Sequence, residues 1–265
     1  MPEGDAVRRT GDRLDRALAG ATLVRSDFRV PQLATTDLAG ATVAPTATHG
    51  KHLLTRLTTA GGDRLTLHTH LKMEGSWRVI HAGDRWPQPG HLARVVLTTD
   101  AVEAIGFQLG LVELLPTADE HTVIGHLGPD LLGPWSADDE QTALARLTAA
   151  PDRVLGEALL DQSVVAGLGT IWLSETCFVQ GIHPQRPVSA LADPLRLLRR
   201  ARALLRSGLE HGQPITTGDR HNPVWVYRRQ RQPCLRCRTT IEAGQVGPPG
   251  RERTTYWCPR CQPRA

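Results

Sequence analysis

Apolar residues recur at helical spacing near the start of the chain. Val7, Leu14, Ala17 and Leu18 are three, four or seven residues apart, a spacing that predicts an amphipathic helix. Gly20 stands where a glycine commonly ends a helix. A proline and a carboxylate come directly before this helix. Since chain termini are usually frayed, a helix that begins here predicts that the first residues are held against the rest of the protein.

The residues after the helix alternate between apolar and polar side chains, with the two-residue period of β-strands. Turn-forming residues separate the alternating stretches, as at 60–63 and 86–90. Five or more strands in succession predict an antiparallel sandwich or a barrel-like lobe. The strand-like stretches are 22–30, 41–59, 63–83, 91–99 and 101–116.

The pattern becomes helical after residue 130. Ser136 and Asp139 have the spacing of a capping box, and Asp193 followed by Pro194 predicts the start of a long helix. Residues 131–134 predict a linker ahead of this helical part. Two further helices are predicted at 157–165 and 170–179.

The composition is that of a soluble globular protein, with 40% hydrophobic and 22% charged residues. No apolar run reaches the ~18 residues of a membrane span, and no basic segment followed by an apolar one marks a signal peptide. The sequence therefore predicts a cytosolic protein.

Positive charge is concentrated in the last part of the chain. From Asp219 onward, the sequence has ten arginines and three carboxylates, which is a net charge of +7, whereas the whole chain has +4. A basic segment on a near-neutral body is typical of proteins that bind a polyanion, most often nucleic acid, although a merely basic surface would give the same count. We therefore expect a β lobe at 1–130, a helical lobe at 131–222 and a basic tail at 223–265.

Four of the five cysteines form two C-x2-C pairs separated by twenty residues: Cys234, Cys237, Cys258 and Cys261. Thiolates at this spacing are typical of a closed tetrahedral zinc site. Disulfides would need an oxidising compartment, and a redox C-x2-C pair would not need a second copy. We expect one structural zinc ion that orders a hairpin whose arginines point at phosphates. The fifth cysteine, Cys177, lies in an apolar helix and is expected to be a small core residue.

A glycine-rich turn, AGLG, places Gly167 and Gly169 between two predicted helices. The glycines allow a tight helix–turn–helix, and the backbone N–H groups that start the second helix can bind an anion. A turn needed only for packing would have the same sequence. The neighbouring basic tail favours phosphate binding.

Six segments of the chain stand out together: MPEG at 1–4, HGKHLLTR at 49–56, HLKMEGSW at 70–77, LLDQSVVAGLGT at 159–170, VYRRQRQPCLRC at 226–237 and RTTYWCPRC at 253–261. They resemble the bacterial formamidopyrimidine-DNA glycosylase / endonuclease VIII family of base-excision repair enzymes. The forms MPEG and HLKMEGSW are closer to the endonuclease VIII branch. The resemblance implies an α+β fold with an N-terminal β-sandwich lobe, a helix–two-turn–helix lobe and a C-terminal zinc finger, with DNA bound between the lobes.

The resemblance assigns catalytic roles to four residues. Met1 is removed and the amine of Pro2 attacks C1′ of the deoxyribose, while Glu3 protonates the opening sugar. An α-amino group has an intrinsic pKa of about 7.7–8.0, well below the ~10.4 of lysine, so part of it is unprotonated near neutral pH. The resulting iminium is an electron sink that permits strand cleavage by β,δ-elimination. Lys51 and Arg253 match residues that hold phosphates beside the lesion.

Six further residues match DNA contacts of the family. For His70 and Tyr227 a core or surface role is equally compatible with the sequence. Arg251 is equally compatible with an ordinary basic residue on the surface. Met73 is either a side chain inserted into the gap left by base flipping or a core residue. The other two are Gly169 and Thr170, at the glycine-rich turn.

Three departures from the family pattern concern the site. Thr170 replaces the usual asparagine, and Asp5-Ala6 replaces the usual Pro-Glu, which removes or shifts one carboxylate. The stretch IGFQLGLVE at 105–113 has no arginine, whereas the purine-specific branch carries an Arg-Arg-Phe wedge there. We therefore expect a preference for oxidised pyrimidines.

Two alternatives stay open at the level of sequence: a purine-type glycosylase on the same scaffold, and a catalytically weak DNA-binding protein, either a lesion sensor or a zinc-ribbon regulator. The expected partner is damaged DNA, duplex or bubble. We expect a bacterial protein that is a monomer, lies in the cytoplasm and associates with the nucleoid.

Overall fold

The computed structural model describes residues 2–264, which form two compact units. Unit 1 comprises Pro2 and residues 6–126, and unit 2 comprises Glu3–Asp5 and the residues from 127 onward. The fold is α+β: unit 1 is a β-sandwich, and unit 2 is a helical region followed by a two-stranded hairpin. No helix within residues 2–264 is both long enough and apolar enough to span a membrane.

Unit 1 contains nine strands arranged as two antiparallel sheets. The elements are α1 (Gly4–Leu18, of which the first two residues belong to unit 2), β1 (Arg25–Phe28), β2 (Thr42–Val43), β3 (Ala47–His49), β4 (His52–Thr58), β5 (Arg64–His70), β6 (Ser76–His81), β7 (Ala93–Thr98), β8 (Val102–Phe107), β9 (Leu111–Pro116) and α2 (Glu120–Ile124). One sheet has the order β1-β7-β8-β6, and the other has the order β2-β4-β5-β9 with β3 paired to β4.

Apolar side chains from both sheets and from α1 meet in one core. Val7, Leu14 and Leu18 of α1 pack with Leu53 of one sheet and Val95 of the other, and all five are at most 1% exposed. The sandwich that the alternation predicts is therefore confirmed, and so is the amphipathic first helix.

Helix α2 is absent from the sequence-based prediction because tertiary contacts hold it. The Arg56 guanidinium in β4 donates two hydrogen bonds of 2.7 Å to Glu120, and the Thr66 hydroxyl in β5 donates a third of 2.6 Å. The hydrogen bonds from Arg56 are the main cause that lowers the pKa of Glu120. Neither partner is near α2 in sequence, so no local pattern could reveal this five-residue helix.

Unit 2 contains four helices and the hairpin. They are α3 (Ala137–Thr148), α4 (Leu155–Leu160), α5 (Thr170–Gln180), α6 (Pro194–His211), β10 (Glu242–Val246) and β11 (Arg253–Trp257). The predicted capping box of Ser136 and Asp139 is present, and the Asp193 side chain accepts from Arg196 N–H at the start of α6. Both predicted helix starts are confirmed.

Two sequence-based predictions in this region are wrong. The helix predicted at 157–165 ends at Leu160, because the Asp161 carboxylate accepts from the backbone N–H and the hydroxyl of Ser163 and forms a turn instead. The linker predicted at 131–134 is part of unit 2. Leu131 is fully buried in its core, and its N–H donates to Ala166 O.

Helix α5 is the centre of unit 2, and residues Trp172 to Phe178 are all buried. Cys177 among them is fully buried, as expected for a core residue, and burial raises the pKa of its thiol to about 12. Trp172 packs directly against Gly208 of α6, where an added Cβ would lie 2.2 Å from Trp172 Cζ2.

We predict that Gly208→Ala destabilises the protein. In the middle of an exposed helix this change would stabilise by about 1 kcal/mol, but here the new methyl group overlaps the Trp172 ring, so we expect a net loss of about 1–3 kcal/mol. Urea unfolding gives the sign. Ser207→Ala, one residue earlier in α6, is the matched control, and a stabilised Gly208→Ala protein would show that this packing is not tight.

Candidate functional site

The Glu3 carboxylate lies at the N-terminus of α5. It is 4% exposed, and it accepts hydrogen bonds from Ile171 N–H at 2.8 Å and from Trp172 N–H at 3.3 Å. Helix α5 begins after Gly169, which has no side chain to cap these groups. A residue from the start of the chain therefore serves as the cap, and its negative charge is favoured by the helix dipole.

Glycines make this approach possible. A Cβ at Gly169 would lie 2.3 Å from Glu3 Cδ, and one at Gly4 would lie 2.9 Å from Gly167 Cα. Gly4 N–H donates to Gly167 O at 2.9 Å, and Gly167 has φ +99°, a conformation that favours glycine. Glu3 and Gly4 thus pack against the AGLG turn within unit 2.

The anion-site prediction for the glycine-rich turn needs correction. Two of the backbone N–H groups expected to face a phosphate, those of Ile171 and Trp172, donate to Glu3 instead. The helix N-terminus does hold an anion, but that anion is a side chain of the protein. Contacts of Gly169 and Thr170 with DNA stay a prediction.

Asp5 and Ala6 replace the Pro-Glu pair of the family, and the structure places them differently. The Asp5 carboxylate is 3% exposed and accepts from Trp172 Nε1 at 3.0 Å in unit 2. Ala6 lines a cavity of unit 1 beside Pro2. The carboxylate is therefore not shifted into that cavity.

Pro2 is half-buried and lines this cavity, whose volume is about 200 Å³. The removal of Met1 that the nucleophile prediction requires lies outside the described residues.

Lys51 lies in the turn between β3 and β4, and His70 is the last residue of β5; both are buried. His70 Nδ1 accepts from Lys72 N–H at 2.9 Å. The imidazole of His52 packs edge-on against that of His70, with 4.9 Å between ring centroids. His70 thus belongs to a cluster of histidines in β4 and β5.

A chain of hydrogen bonds extends from this cluster. His52 Nδ1 is 2.7 Å from His68 Nε2, and His68 Nδ1 is 3.0 Å from Glu113 Oε2. Since an ionised carboxylate only accepts, His68 donates to Glu113, and with a neutral His68 ring its Nε2 accepts from His52 Nδ1. The two imidazoles are then fixed in one tautomer each.

Burial, followed by the charge of His70, lowers the pKa of His52 to about 3. Burial, followed by the charges of Lys72 and Lys51, lowers the pKa of His70 to about 4. Both imidazoles are therefore neutral around pH 7.

Met73 is 66% exposed, so the structure excludes the core role that the sequence left open. The loop that joins β8 to β9 has only three residues, 108–110. The Lys72 side chain packs on it, since a Cβ at Gly110 would lie 2.1 Å from Lys72 Cγ. This short loop lies within the stretch 105–113, for which the resemblance implied the wedge of the purine-specific branch.

Tyr227 lies close to the start of α5. Its hydroxyl is hydrogen-bonded to the Thr170 side chain, and burial is the main cause that raises its pKa. Its ring meets that of Tyr256 edge-on at 5.4 Å. Unit 2 therefore brings together Glu3, Gly169, Thr170 and Tyr227.

Sequence reasoning missed Glu175, which is fully buried in α5. Its carboxylate accepts from the Thr216 hydroxyl and from the N–H groups of Trp225, Val226 and Tyr227, the last three at 2.8–2.9 Å. A lone carboxylate inside the apolar run TIWLSETCFV was the available signal. Glu175 fixes the backbone at the entry to the cysteine-rich segment.

The four cysteines predicted as ligands come together. All four Sγ atoms lie within 4.8 Å of one another, with Cys234 to Cys261 at 4.0 Å and Cys237 to Cys258 at 3.4 Å. These distances are far longer than a disulfide bond. The group can hold one metal ion.

Not all arginines of the tail point outward as expected. The Arg236 guanidinium lies 4.5 Å above the Phe178 ring, and Arg229 donates to Trp225 O at 2.7 Å and to Pro233 O at 3.0 Å. Arg251 and Arg253 are exposed.

We predict that acid destabilises the protein partly through His52. An unfolded histidine binds a proton below about pH 6.5, whereas folded His52 stays neutral, so this stabilisation is fully present above pH 6.5 and decreases as the pH falls toward 3. His52→Gln should reduce the loss between pH 7.5 and 5 by about 1 kcal/mol, measured by urea unfolding. His81→Gln, at an exposed site, is the control. Equal slopes for His52→Gln and wild type would contradict the pKa shift.

Comparisons with known proteins agree with this architecture. The sequence profile described as "Formamidopyrimidine-DNA glycosylase N-terminal domain" matches residues 1–108, and "Formamidopyrimidine-DNA glycosylase H2TH domain" matches residues 127–219. The solved structure of a complex between Lactococcus lactis Fpg and DNA containing an abasic site has a TM-score of 0.81, with 23% identity over 98% of this chain and 99% of that chain. At this identity the structural likeness concerns the fold.

Two sequence relatives cover nearly the whole chain. The "Probable endonuclease 8 2" of Streptomyces coelicolor is 49% identical over an alignment of 266 positions that covers 99% of this chain and 94% of that protein. The "DNA-(apurinic or apyrimidinic site) lyase Nei2" of Mycolicibacterium smegmatis is 45% identical over 265 residues and 99% of each chain. The chain therefore belongs to the formamidopyrimidine-DNA glycosylase / endonuclease VIII family, on the endonuclease VIII side.

Proposed function

We propose that this protein is a bifunctional DNA glycosylase and abasic-site lyase that removes oxidised pyrimidines. The observation that carries the proposal is the Glu3 carboxylate, held against the first turn of α5 directly after Pro2 in sequence. DNA binding alone requires neither a buried acid nor a proline at these positions. The names of the relatives, endonuclease 8 and abasic-site lyase, support the same reaction class.

Pro2 acts as the nucleophile once Met1 has been removed. Its secondary amine forms a bond with C1′, the glycosidic C1′–N bond breaks, and its electron pair leaves with the base. The amine nitrogen then carries a proton and a positive charge.

Glu3 moves this proton. Its carboxylate accepts the proton from the nitrogen and delivers it to O4′ as the C1′–O4′ bond breaks, which leaves a ring-opened iminium. The hydrogen bonds from α5 keep the carboxylate in one position, so no reorganisation is needed during transfer.

The iminium makes the following eliminations possible. It withdraws electrons from C2′, whose proton is lost while the bond from C3′ to the phosphate oxygen breaks. Loss of the C4′ proton then breaks the bond from C5′ to the second phosphate oxygen, which leaves phosphates at both ends of the gap, and water hydrolyses the remaining iminium to free the sugar from Pro2. Lys51 and Arg253 are proposed to bind the phosphates beside the lesion, and His70, Met73, Gly169, Thr170, Tyr227 and Arg251 to contact the DNA around it.

Two observations support the preference for pyrimidines. The β8–β9 loop has three residues and no arginine, so it offers no wedge that would read the base opposite the lesion. The exposed Met73 is proposed to fill the gap that the flipped nucleotide leaves.

We assign zinc to the cysteine site on the chemistry of its donors. Four thiolates around Zn²⁺ at about 2.3 Å form a tetrahedron with edges of about 3.8 Å, between the two Sγ separations of 3.4 and 4.0 Å. Cys234, Cys237, Cys258 and Cys261 would hold the ion, which leaves no open position for chemistry. Its role is to order the hairpin that carries Arg253.

The Glu3 carboxylate and the Pro2 amine can be tested separately. Glu3→Gln should lower base release at least about 100-fold, because the amide cannot move the proton, while the dissociation constant for abasic-site DNA changes by less than about threefold. Single-turnover excision measures base release, and fluorescence anisotropy measures the dissociation constant.

An N-terminal extension that blocks Pro2 should abolish borohydride trapping on abasic DNA, because an amide nitrogen has no available lone pair.

The rival nucleophiles can be tested completely. Lys51 and Lys72 are the only lysines in the chain. If an N-terminally blocked protein still formed the borohydride adduct, and Lys51→Ala or Lys72→Ala removed it, the proline mechanism would be wrong.

The hairpin provides a second prediction. Arg253→Ala should weaken binding to all DNA sequences and reduce the salt dependence of log K by about 0.9, the value for one phosphate contact. Arg200→Ala, at an exposed position of α6, is the control for the loss of one positive charge. Metal analysis should find one zinc per chain in both variants. An unchanged salt slope for Arg253→Ala would show that this side chain does not reach a phosphate.

A further inference from the structure

Asp5 is a buried carboxylate in a place where the family usually has a proline. Only 3% of it is exposed, and burying a carboxylate is costly unless hydrogen bonds satisfy it. The Trp172 side chain supplies one such bond, since its Nε1 lies 3.0 Å from Asp5 Oδ1. A proline side chain has no acceptor, so this bond distinguishes the chain from the usual family pattern.

Trp172 connects Asp5 to Glu3. Its backbone N–H donates to Glu3 Oε2 at 3.3 Å, and its indole N–H donates to Asp5 Oδ1. Because Trp172 is fully buried, the indole N–H needs its partner within the protein. One residue of α5 therefore binds two carboxylates that are two positions apart in the sequence.

The residue between the two carboxylates is fixed as well. Gly4 N–H donates to Gly167 O at 2.9 Å, and the two backbones are so close that a Cβ at Gly4 would lie 2.9 Å from Gly167 Cα. Three successive residues, 3–5, are thus attached to unit 2 through different groups. Asp5 provides the attachment on the α1 side of Glu3.

The position of the Glu3 backbone matters for the proposed reaction. A glutamate side chain has three rotatable bonds, so its carboxylate stays in one place only if the backbone that carries it is fixed too. Glu3 is proposed to move a proton from the Pro2 nitrogen to O4′, and a displacement of ~1 Å at such a step costs about 100-fold in rate. An anchor directly after Gly4 restricts this displacement.

A simpler role for Asp5 would be a favourable interaction with the dipole of α1, in whose first turn it lies. That role needs a negative charge, but it needs neither burial nor the Trp172 indole. The bond to the same residue that binds Glu3 favours a role that is coupled to Glu3.

We propose that Asp5 is a positioning residue of this enzyme: the hydrogen bond from Trp172 Nε1 fixes the backbone after Glu3 and so keeps the Glu3 carboxylate where it moves the proton. This inference rests on the proposed function. Asp5 itself takes up no proton and acts through Glu3. Its removal should therefore impair the step that uses Glu3 and spare a step that does not.

DNA with a preformed abasic site provides the step that does not. Its open-chain aldehyde reacts with the Pro2 amine without the ring opening that Glu3 assists. In single-turnover assays, Asp5→Ala should lower base release from a dihydrouracil duplex at least about tenfold, and cleavage at the abasic site less than about threefold. Asp5→Asn should recover most of the base release, because its amide oxygen still accepts from the indole.

The same substitution in the Glu3→Gln protein tests whether Asp5 acts through Glu3. With the acid already removed, Asp5→Ala should lower base release by less than about twofold more. An equal fractional loss in both backgrounds would overturn the inference, as would equal losses on dihydrouracil and abasic DNA. Asp5→Asn no more active than Asp5→Ala would assign the effect to charge, and would overturn it too.

A second variant keeps the test independent of the folding of Asp5→Ala. Trp172→Phe removes the indole N–H and leaves Asp5 in place, so it should show the same selective loss of base release; wild-type base release in this variant would contradict the inference. Asp12→Ala, which removes another carboxylate from α1, is the control and should behave as wild type. Thermal melting checks that each variant is folded.

The outcomes separate this inference from the proposed function. A wild-type protein that forms no borohydride adduct on abasic DNA would overturn both. If Glu3→Gln loses base release while folded Asp5→Ala and Trp172→Phe keep it, the proposed function stands and the positioning role of Asp5 is wrong.

Discussion

The contact between the Glu3 carboxylate and the first turn of α5 is the interaction on which the site in unit 2 depends. A helix that begins after glycine has no side-chain cap of its own, and its first N–H groups need an acceptor. A buried carboxylate in turn needs donors. Each group satisfies the other, and this pairing would be lost if the start of the chain moved away. The first residues are therefore held in place by a requirement of a helix far along the sequence.

Neutral histidines surround the basic group of the sandwich. Lys51 is 6% exposed, and its neighbours His52 and His70 have pKa values well below neutrality because they are buried. A neutral imidazole can accept or donate a hydrogen bond without adding charge. His68 and Glu113 orient the His52 imidazole through two successive hydrogen bonds.

Features with a local cause could be predicted from the sequence. The capping box at Ser136, the N-cap at Asp193 and the strand alternation depend on residues a few positions apart, and the cysteine spacing implies its own geometry. The turn at Asp161 was missed because an apolar run concealed a local carboxylate–serine bond. Helix α2 was missed because its partners lie in other strands.

The same distinction applies to the candidate site. Spacing and family resemblance pointed to the start of the chain and to the glycine-rich turn, but not to the bond between them, since its donors and acceptor are 168 and 169 positions apart. Glu175 and Arg236 were missed for a similar reason. A carboxylate or guanidinium looks the same in sequence whether it faces solvent or completes the interior.

Helix α5 meets a different requirement on each side. Its first turn receives Glu3, Trp172 fits against Gly208, Glu175 holds the segment that leads to the cysteines, and Phe178 stacks with Trp225. Seven successive residues are buried, so no face is free to vary. Evolutionary change in this helix should therefore be slow and correlated with change at distant positions. The exposed faces of α3 and α6 can diverge independently, and a family tree built from them alone would overstate the distance between enzymes with the same interior.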